Sequence, residues 1–282
     1  IIRKAEKYPR GVYCGAIGYI SPRREMCFNV AIRTIYLDNK GHGVLGIGGG
    51  IVYDSKDKSE YDEAILKARF FVRKQHKFSL IETMLWNTSY YLLDYHLNRL
   101  RRSCEYFDIP FREYSITDRL NHLVPFFDKK RRYKVRLLLN HRGSIRCFYS
   151  PLANIVEPVS IMLSADAVYS DNLYLYHKTT NRRFYDKQRK RSLGKGAWES
   201  IFINERNELT EGSITNIFIL KNNKLFTPPV SCGLLPGVLR EYLLRSAKAE
   251  EKVLYPKDLL GADKIYIGNS VRGLIEAGLK DA

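Results

Sequence analysis

Two short stretches constrain the fold of this chain more than any others. Residues 177–182 are His-Lys-Thr-Thr-Asn-Arg, and residues 209–216 are Leu-Thr-Glu-Gly-Ser-Ile-Thr-Asn. Around the second stretch the pattern is strand, turn, strand. Ser200–Ile203 is a short apolar run, Asn204–Thr210 holds the polar residues of a turn, and Thr215–Leu220 is apolar again. Glu211 is therefore expected at the end of a turn. A second hairpin should turn at Asn222-Asn223, and Phe226-Thr227-Pro228-Pro229 then breaks the sheet. Gly233-Leu234-Leu235-Pro236-Gly237 should start a helix, with a proline near its first position.

Upstream, both periodicities occur. Phe78–Trp86 has the character of a strand and Tyr90–Leu93 that of a short return. A helix should begin at Asp94, a residue type that caps helix N-termini well. Leu97, Leu100, Cys104 and Phe107 recur at helical spacing and face a core, while Arg99 falls off that stripe. Ile116–Phe127 is a second amphipathic helix. Tyr133–Leu139 and Ser144–Tyr149 form a hairpin, Val159–Ser164 is another strand, and Ala165–Leu175 crosses over toward Lys178. Lys264–Ile267 is a late strand, followed by Gly268-Asn269-Ser270. These elements predict an α+β fold.

The net charge of +17 would suit a nucleic-acid binder. The basic residues are spread along the chain, however, and the densest runs, 128–132 and 187–191, have the character of loops. A solvated basic surface that steers anionic substrates is the better expectation, with no nucleic-acid partner. No apolar run is long enough to span a bilayer, so no membrane partner is expected. The first residues lack a signal-peptide apolar core. Five scattered cysteines form neither a CxxC pair nor a metal spacing, which fits reduced thiols in a cytoplasmic protein.

The first 75 residues have the character of the end of a different domain. Gly11–Ile20, Phe28–Thr34 and Val44–Val52 are expected strands, the last carrying Gly48-Gly49-Gly50, and a helix should run from Lys58 to Arg73. Glu60, Glu63 and Lys67 share one face of that helix. Arg73–Lys77 is the expected linker.

A lysine and a glutamate set as Lys178 and Glu211 are suit pyridoxal phosphate chemistry. The amine can condense with the cofactor aldehyde, and the carboxylate can hydrogen-bond the pyridine nitrogen. Lys178-Thr179-Thr180-Asn181-Arg182, Glu211-Gly212-Ser213 with Asn216, Asp94-Tyr95-His96-Leu97-Asn98-Arg99, and Leu235-Pro236-Gly237 occur in the order of a known family. Over residues 77–282 the chain resembles the fold-type IV (class IV) pyridoxal phosphate enzymes, and its wording is closest to the 4-amino-4-deoxychorismate lyases. The resemblance implies a two-domain α+β enzyme, with a small domain at 77–170 and a large domain at 171–282. It implies Lys178 as the catalytic lysine and Glu211 as the pyridine-nitrogen partner. Arg99, the amides of Val238 and Leu239, and Asn269 or Ser270 would contact the phosphate, and Leu235 would pack on the ring. His96 is expected to be a structural hydrogen-bonder, Tyr185 is given no role, and Arg272 is a candidate for facing a substrate carboxylate. The implied reaction eliminates pyruvate from aminodeoxychorismate to give p-aminobenzoate for folate synthesis, in a homodimer. Branched-chain or D-amino-acid aminotransferase activity is the alternative, because the same cofactor contacts serve both.

Residues 1–75 resemble the C-terminal end of the chorismate-binding domain of aminodeoxychorismate and anthranilate synthases. The matching residues are Tyr13-Cys14-Gly15, Ile32-Arg33-Thr34, Gly48–Gly50, Asp54-Ser55 and Glu60-Tyr61-Asp62-Glu63. That resemblance implies chorismate carboxylates on Arg33, Gly49 and Gly50, and Mg²⁺ on Glu60 and Glu63 in a complete domain. It further implies a segment of a fused synthase–lyase polypeptide, without synthase activity by itself, with an incomplete core and exposed sheet edges. A glutamine amidotransferase subunit would be a possible partner.

Overall fold

The computed structural model describes residues 2–6, 8–72 and 78–280. The chain divides into two compact units, Ile1–His76 and Lys77–Ala282. The expected linker, 73–77, lies outside the described residues. No helix among the described residues is long and apolar enough to cross a membrane.

The first unit contains α1 (Ile2–Ala5), an antiparallel hairpin of β1 (Ala16–Ile20) and β2 (Met26–Val30), a second hairpin of β3 (Ile35–Leu37) and β4 (Gly43–Leu45), and α2 (Asp57–Val72). Every residue of β1 and β2 is exposed, and Ala31 and Ala68 are the buried apolar side chains among the described residues of this unit. Exposed Tyr19, Ile20 and Phe28 leave these strands without a packed face. The strand expected over Val44–Val52 stops at Leu45, because the glycine triplet offers no side chains to pack. Gly11–Cys14 form a turn ahead of β1.

The second unit has two sheets. The first is antiparallel in the order β6–β5–β7–β8: β5 (Ser79–Asn87), β6 (Ser89–Tyr90), β7 (Tyr133–Asn140) and β8 (Ile145–Pro151). On β7, Tyr133, Val135, Leu137 and Leu139 alternate inward. They meet Leu97, Leu100 and Cys104 of α3 (Leu93–Phe107) and Ile116 and Leu120 of α4 (Glu113–Asn121) in one core. Helix α3 starts at Leu92, held at φ 54°, rather than being capped by Asp94, and no side chain caps it. Arg99, expected off the apolar stripe, is nevertheless buried. The helix expected over 116–127 ends at Asn121, and Val124–Phe126 is a 3₁₀ turn containing Pro125.

The second sheet runs β11–β10–β9–β16–β15–β12–β13–β14. Its strands are β9 (Val159–Leu163), β10 (Glu199–Ile203), β11 (Leu209–Gly212), β12 (Asn216–Lys221), β13 (Lys224–Thr227), β14 (Glu250–Glu251), β15 (Lys264–Asn269) and β16 (Gly273–Leu279). A further β11–β12 pairing at Glu211 and Asn216 closes six of them into a ring. Ile161, Ile201, Leu209, Ile217, Ile267 and Ile275 fill its core. β9 pairs parallel with both β10 and β16, so it belongs to this sheet and not to the small domain expected at 77–170. Helices α5 (Arg183–Gly194), α6 (Val238–Arg245) and α7 (Pro256–Leu260) accompany the sheet.

Candidate active site

A cavity of about 500 Å³ opens in the second unit, lined by residues between Ile81 and Arg272. That size suits a cofactor-scale ligand. Lys178 is on its wall, just after a 3₁₀ turn (Leu173–Leu175). The backbone here is stitched to β5. The Lys178 carbonyl accepts from the Ile81 amide at 2.8 Å, and the Thr180 amide donates to the Ser79 carbonyl at 2.9 Å. Burial first, then the charges of Arg99 and Arg182, depress the Lys178 amine to about 7.

Glu211 lines the same cavity. It stands in β11, buried, and not in a solvated turn, because Leu209–Gly212 pair with β10 and close the ring against β12. Burial pushes its carboxyl up to about 8, against the pull of the Leu235 amide and the Tyr185 hydroxyl. Tyr185 donates to Oε1 at 3.0 Å, and Asn216 Nδ2 donates to Oε2 at 3.4 Å and to the Leu235 carbonyl at 3.1 Å. Asn216 thus ties the carboxylate to the start of α6. Gly237 is required there, since a Cβ would lie 1.8 Å from Asn216 Oδ1.

Helix α6 starts after Gly237 with no side-chain cap, so its first amides have no side-chain partner at that end. Val238 lines the cavity. Leu239 does not, and packs its side chain with Phe218 and Leu243. Leu235 is half-buried on the wall, whereas Leu234 is the true core residue. Asn269 spends its side chain on a turn, accepting from the amides of Val271 (3.0 Å) and Arg272 (3.1 Å) and donating to the Ile214 carbonyl (3.2 Å). The Ser270 hydroxyl has only a 3.4 Å contact to the Thr83 carbonyl.

Two buried acids that the sequence analysis passed over, and Tyr185, to which it gave no role, hold this arrangement. Glu82, on β5, takes Arg99 through two oxygens (2.9 and 2.6 Å) and His96 Nδ1 at 2.6 Å. Burial alone would raise its carboxyl, but Arg99 and His96 more than offset it and hold it at about 2. Arg99 also reaches the Pro236 carbonyl at 3.3 Å, so it bridges α3 to the start of α6. Glu199, wholly buried, accepts from the Ser213 hydroxyl (2.5 Å), the Ile214 amide and the Thr215 hydroxyl (both 3.1 Å), fixing the turn after Glu211. The available signal was an acid inside, or opening, an otherwise apolar strand.

Arg33, Gly49, Gly50, Glu60 and Glu63 belong to the first unit. Arg33 is exposed and holds φ 52°. Gly49 faces Glu60, Lys67 and Glu63, whereas a Cβ on Gly50 would meet nothing within 4 Å. Glu63 pairs with Lys67 at 2.7 Å and Glu60 accepts from Ser55 at 2.7 Å. Among the described residues no three His, Cys, Asp or Glu side chains converge as a metal site. Two carboxylates with an ammonium already against one of them do not fit a Mg²⁺ ion, which wants near-octahedral oxygen ligation.

The amino-transferase class IV family model matches residues 79–277, well over half of the chain. The chain belongs to the class IV aminotransferase family. That family is in general pyridoxal phosphate-dependent and commonly oligomeric. A second family model, chorismate binding enzyme, matches residues 1–73. The chain is similar to a solved protein of Mesorhizobium loti described as an amino-acid aminotransferase: 36% identity, TM-score 0.68, covering 72% of this chain and 100% of that one. It is similar to the aminodeoxychorismate lyase of Bacillus subtilis, 26% identical over 215 residues, 66% of this chain and 71% of that protein. Its first unit is similar to aminodeoxychorismate synthase component 1 of the same organism, 38% identical over 85 residues, 30% of this chain and 18% of that protein. The class IV aminotransferase fold is thus joined in one chain to a short chorismate-binding segment.

Proposed function

We propose that this class IV chain is a pyridoxal phosphate-dependent aminodeoxychorismate lyase that releases pyruvate and p-aminobenzoate. The observation that carries the reading is the pairing, in one cavity, of a lysine amine depressed to about 7 with a buried carboxyl raised to about 8. Joined to a chorismate-binding segment, that site favours a chorismate-derived amine as substrate. Pyridoxal phosphate, when bound, supplies an aldehyde that captures amines and a ring that accepts the electron pair left when a proton departs.

The donor set fits that cofactor. Arg99, already squared by Glu82, would hold the phosphate together with the Val238 and Leu239 amides and the Ser270 hydroxyl; Asn269 holds the turn for Ser270. Leu235 would pack on the ring. Glu211 would keep a proton at the pyridine nitrogen, and Tyr185 and Asn216 hold its two oxygens in place. Lys178 would hold the cofactor through its amine. The Lys178 amine would also be the base that takes the proton from the substrate carbon bearing the amine. The enolpyruvyl C–O bond then breaks as the ring becomes aromatic, and the departing enolate is protonated to pyruvate. The enzyme works as a cytoplasmic homodimer. Synthase chemistry, and a glutamine amidotransferase partner, would belong to a complete chorismate-binding domain.

The test supplies aminodeoxychorismate to the loaded protein without any oxo-acid and follows both products. Equal release of pyruvate and p-aminobenzoate, lost in Lys178→Ala, is expected. Retained release in Lys178→Ala would overturn the role of the lysine. The similarity to the Mesorhizobium loti protein favours a second reading, an amino-acid aminotransferase. Transfer of an amino group to an added oxo-acid, with no pyruvate from aminodeoxychorismate, would replace the lyase by that activity.

A further inference from the structure

The cavity wall carries a group of arginines that the cofactor contacts do not use. Arg272 sits at the end of the turn that carries Ser270, its backbone amide held by Asn269. Arg272 lines the cavity, its guanidinium donates to the Ala153 carbonyl at 2.9 Å, and no carboxylate among the described residues pairs with it. Arg189, on α5, lines the same wall beside Trp198, with its guanidinium 5.0 Å from the indole centroid. Its carboxylate contact is Glu199 at 3.4 Å, and Glu199 already serves Ser213, Ile214 and Thr215. Burial and the charges of Arg132 and Arg189 all press against Arg272 staying charged. A guanidinium remains charged in proteins, so these like charges call for an anion. Arg272 is partly buried and tethered to a carbonyl, unlike the solvated lysines and arginines of the outer surface, so its remaining donors are preset.

We propose that Arg272, backed by Arg189, forms a second anion subsite that takes the distal carboxylate of a dicarboxylic substrate. The assignment rests on the lyase reading and names what makes the site selective. Aminodeoxychorismate carries one carboxylate on its ring and one on its enolpyruvyl ether, whereas a simple amino acid carries one. The subsite therefore favours the dianion over monocarboxylic amines.

The test uses two probes that lack an amine and so cannot react: 3-(carboxymethoxy)benzoate, with two carboxylates, and 3-methoxybenzoate, with one. Binding of each to the cofactor-loaded protein is measured by calorimetry. The dicarboxylate should bind about tenfold more tightly, the worth of one charge-assisted contact. Arg272→Gln should erase that preference while leaving 3-methoxybenzoate unchanged, and Arg272→Lys should keep part of it. An intact preference in Arg272→Gln, or none in the parent protein, overturns the subsite. Cofactor absorbance and thermal midpoint check that the variant is folded, and Arg189→Gln carries the same comparison should Arg272→Gln not fold. Failure of the lyase reading shows elsewhere, as no pyruvate from aminodeoxychorismate, with the calorimetric preference still in place. Failure of the subsite shows as a lost or Arg272-independent preference while pyruvate release continues.

Discussion

Lys178 and Glu211 titrate in opposite senses, and together they shape how the cofactor-free protein responds to pH. Glu211 is raised from 4.5 to about 8, so its folded form holds a proton that the unfolded chain has lost. Its contribution is complete below about 4.5 and disappears as pH rises through 8. Lys178 is lowered from 10.5 to about 7, so its contribution is complete above 10.5 and is lost as pH falls through 7. Stability from this pair should fall from pH 5 to 7, flatten between 7 and 8, and rise above 8. Glu211→Gln removes the falling limb, so its thermal midpoint should gain on the parent protein between pH 5 and 8 by a few degrees. Parallel curves would show that Glu211 does not carry this proton. The same amine predicts that cofactor capture speeds up as pH rises through 7, read from the rate of absorbance change. Glu82→Ala leaves the buried Arg99 without its countercharge and should cost about 3–5 kcal/mol in urea unfolding.

At the scale of elements, the start of α6 is the most constrained junction. Gly237→Ala would drive a methyl into Asn216 Oδ1, displacing either the helix amides or the Asn216 bond to Glu211. Cofactor affinity should fall by about tenfold or more, the loss of one or more charge-assisted phosphate contacts, as measured by equilibrium titration. This junction also shows what the sequence carried. The motif Leu235-Pro236-Gly237 placed the helix start correctly. It did not place Arg99 beside the Pro236 carbonyl, because that contact spans 137 residues and has no periodic trace. Strand β7 was legible because its alternation is local. Glu211 was expected in a turn because its strand is only four residues long and is defined by ring closure rather than by its own pattern. Glu82 and Glu199 were passed over because a buried acid and a surface acid look alike until their partners arrive from elsewhere in the chain.

For the whole molecule, every residue lining the cavity comes from the second unit. A chain beginning at residue 77 should therefore bind cofactor and retain lyase turnover. Loss of the cofactor absorbance in that chain would mean that the first unit supports the site. The charge of +17 predicts that raising salt increases the KM for the dianionic substrate more than it lowers kcat, which a salt series would reveal. The stitching of Lys178 to β5 has a consequence in time. Ser79 and Thr180 are 101 residues apart, and their contacts close only after the chain between them has folded. Such distant pairing is slow relative to local helix formation. The reactive amine is thus among the last parts of the protein to come into being, and a refolding chain should recover its far-UV signal well before it can trap an aldehyde.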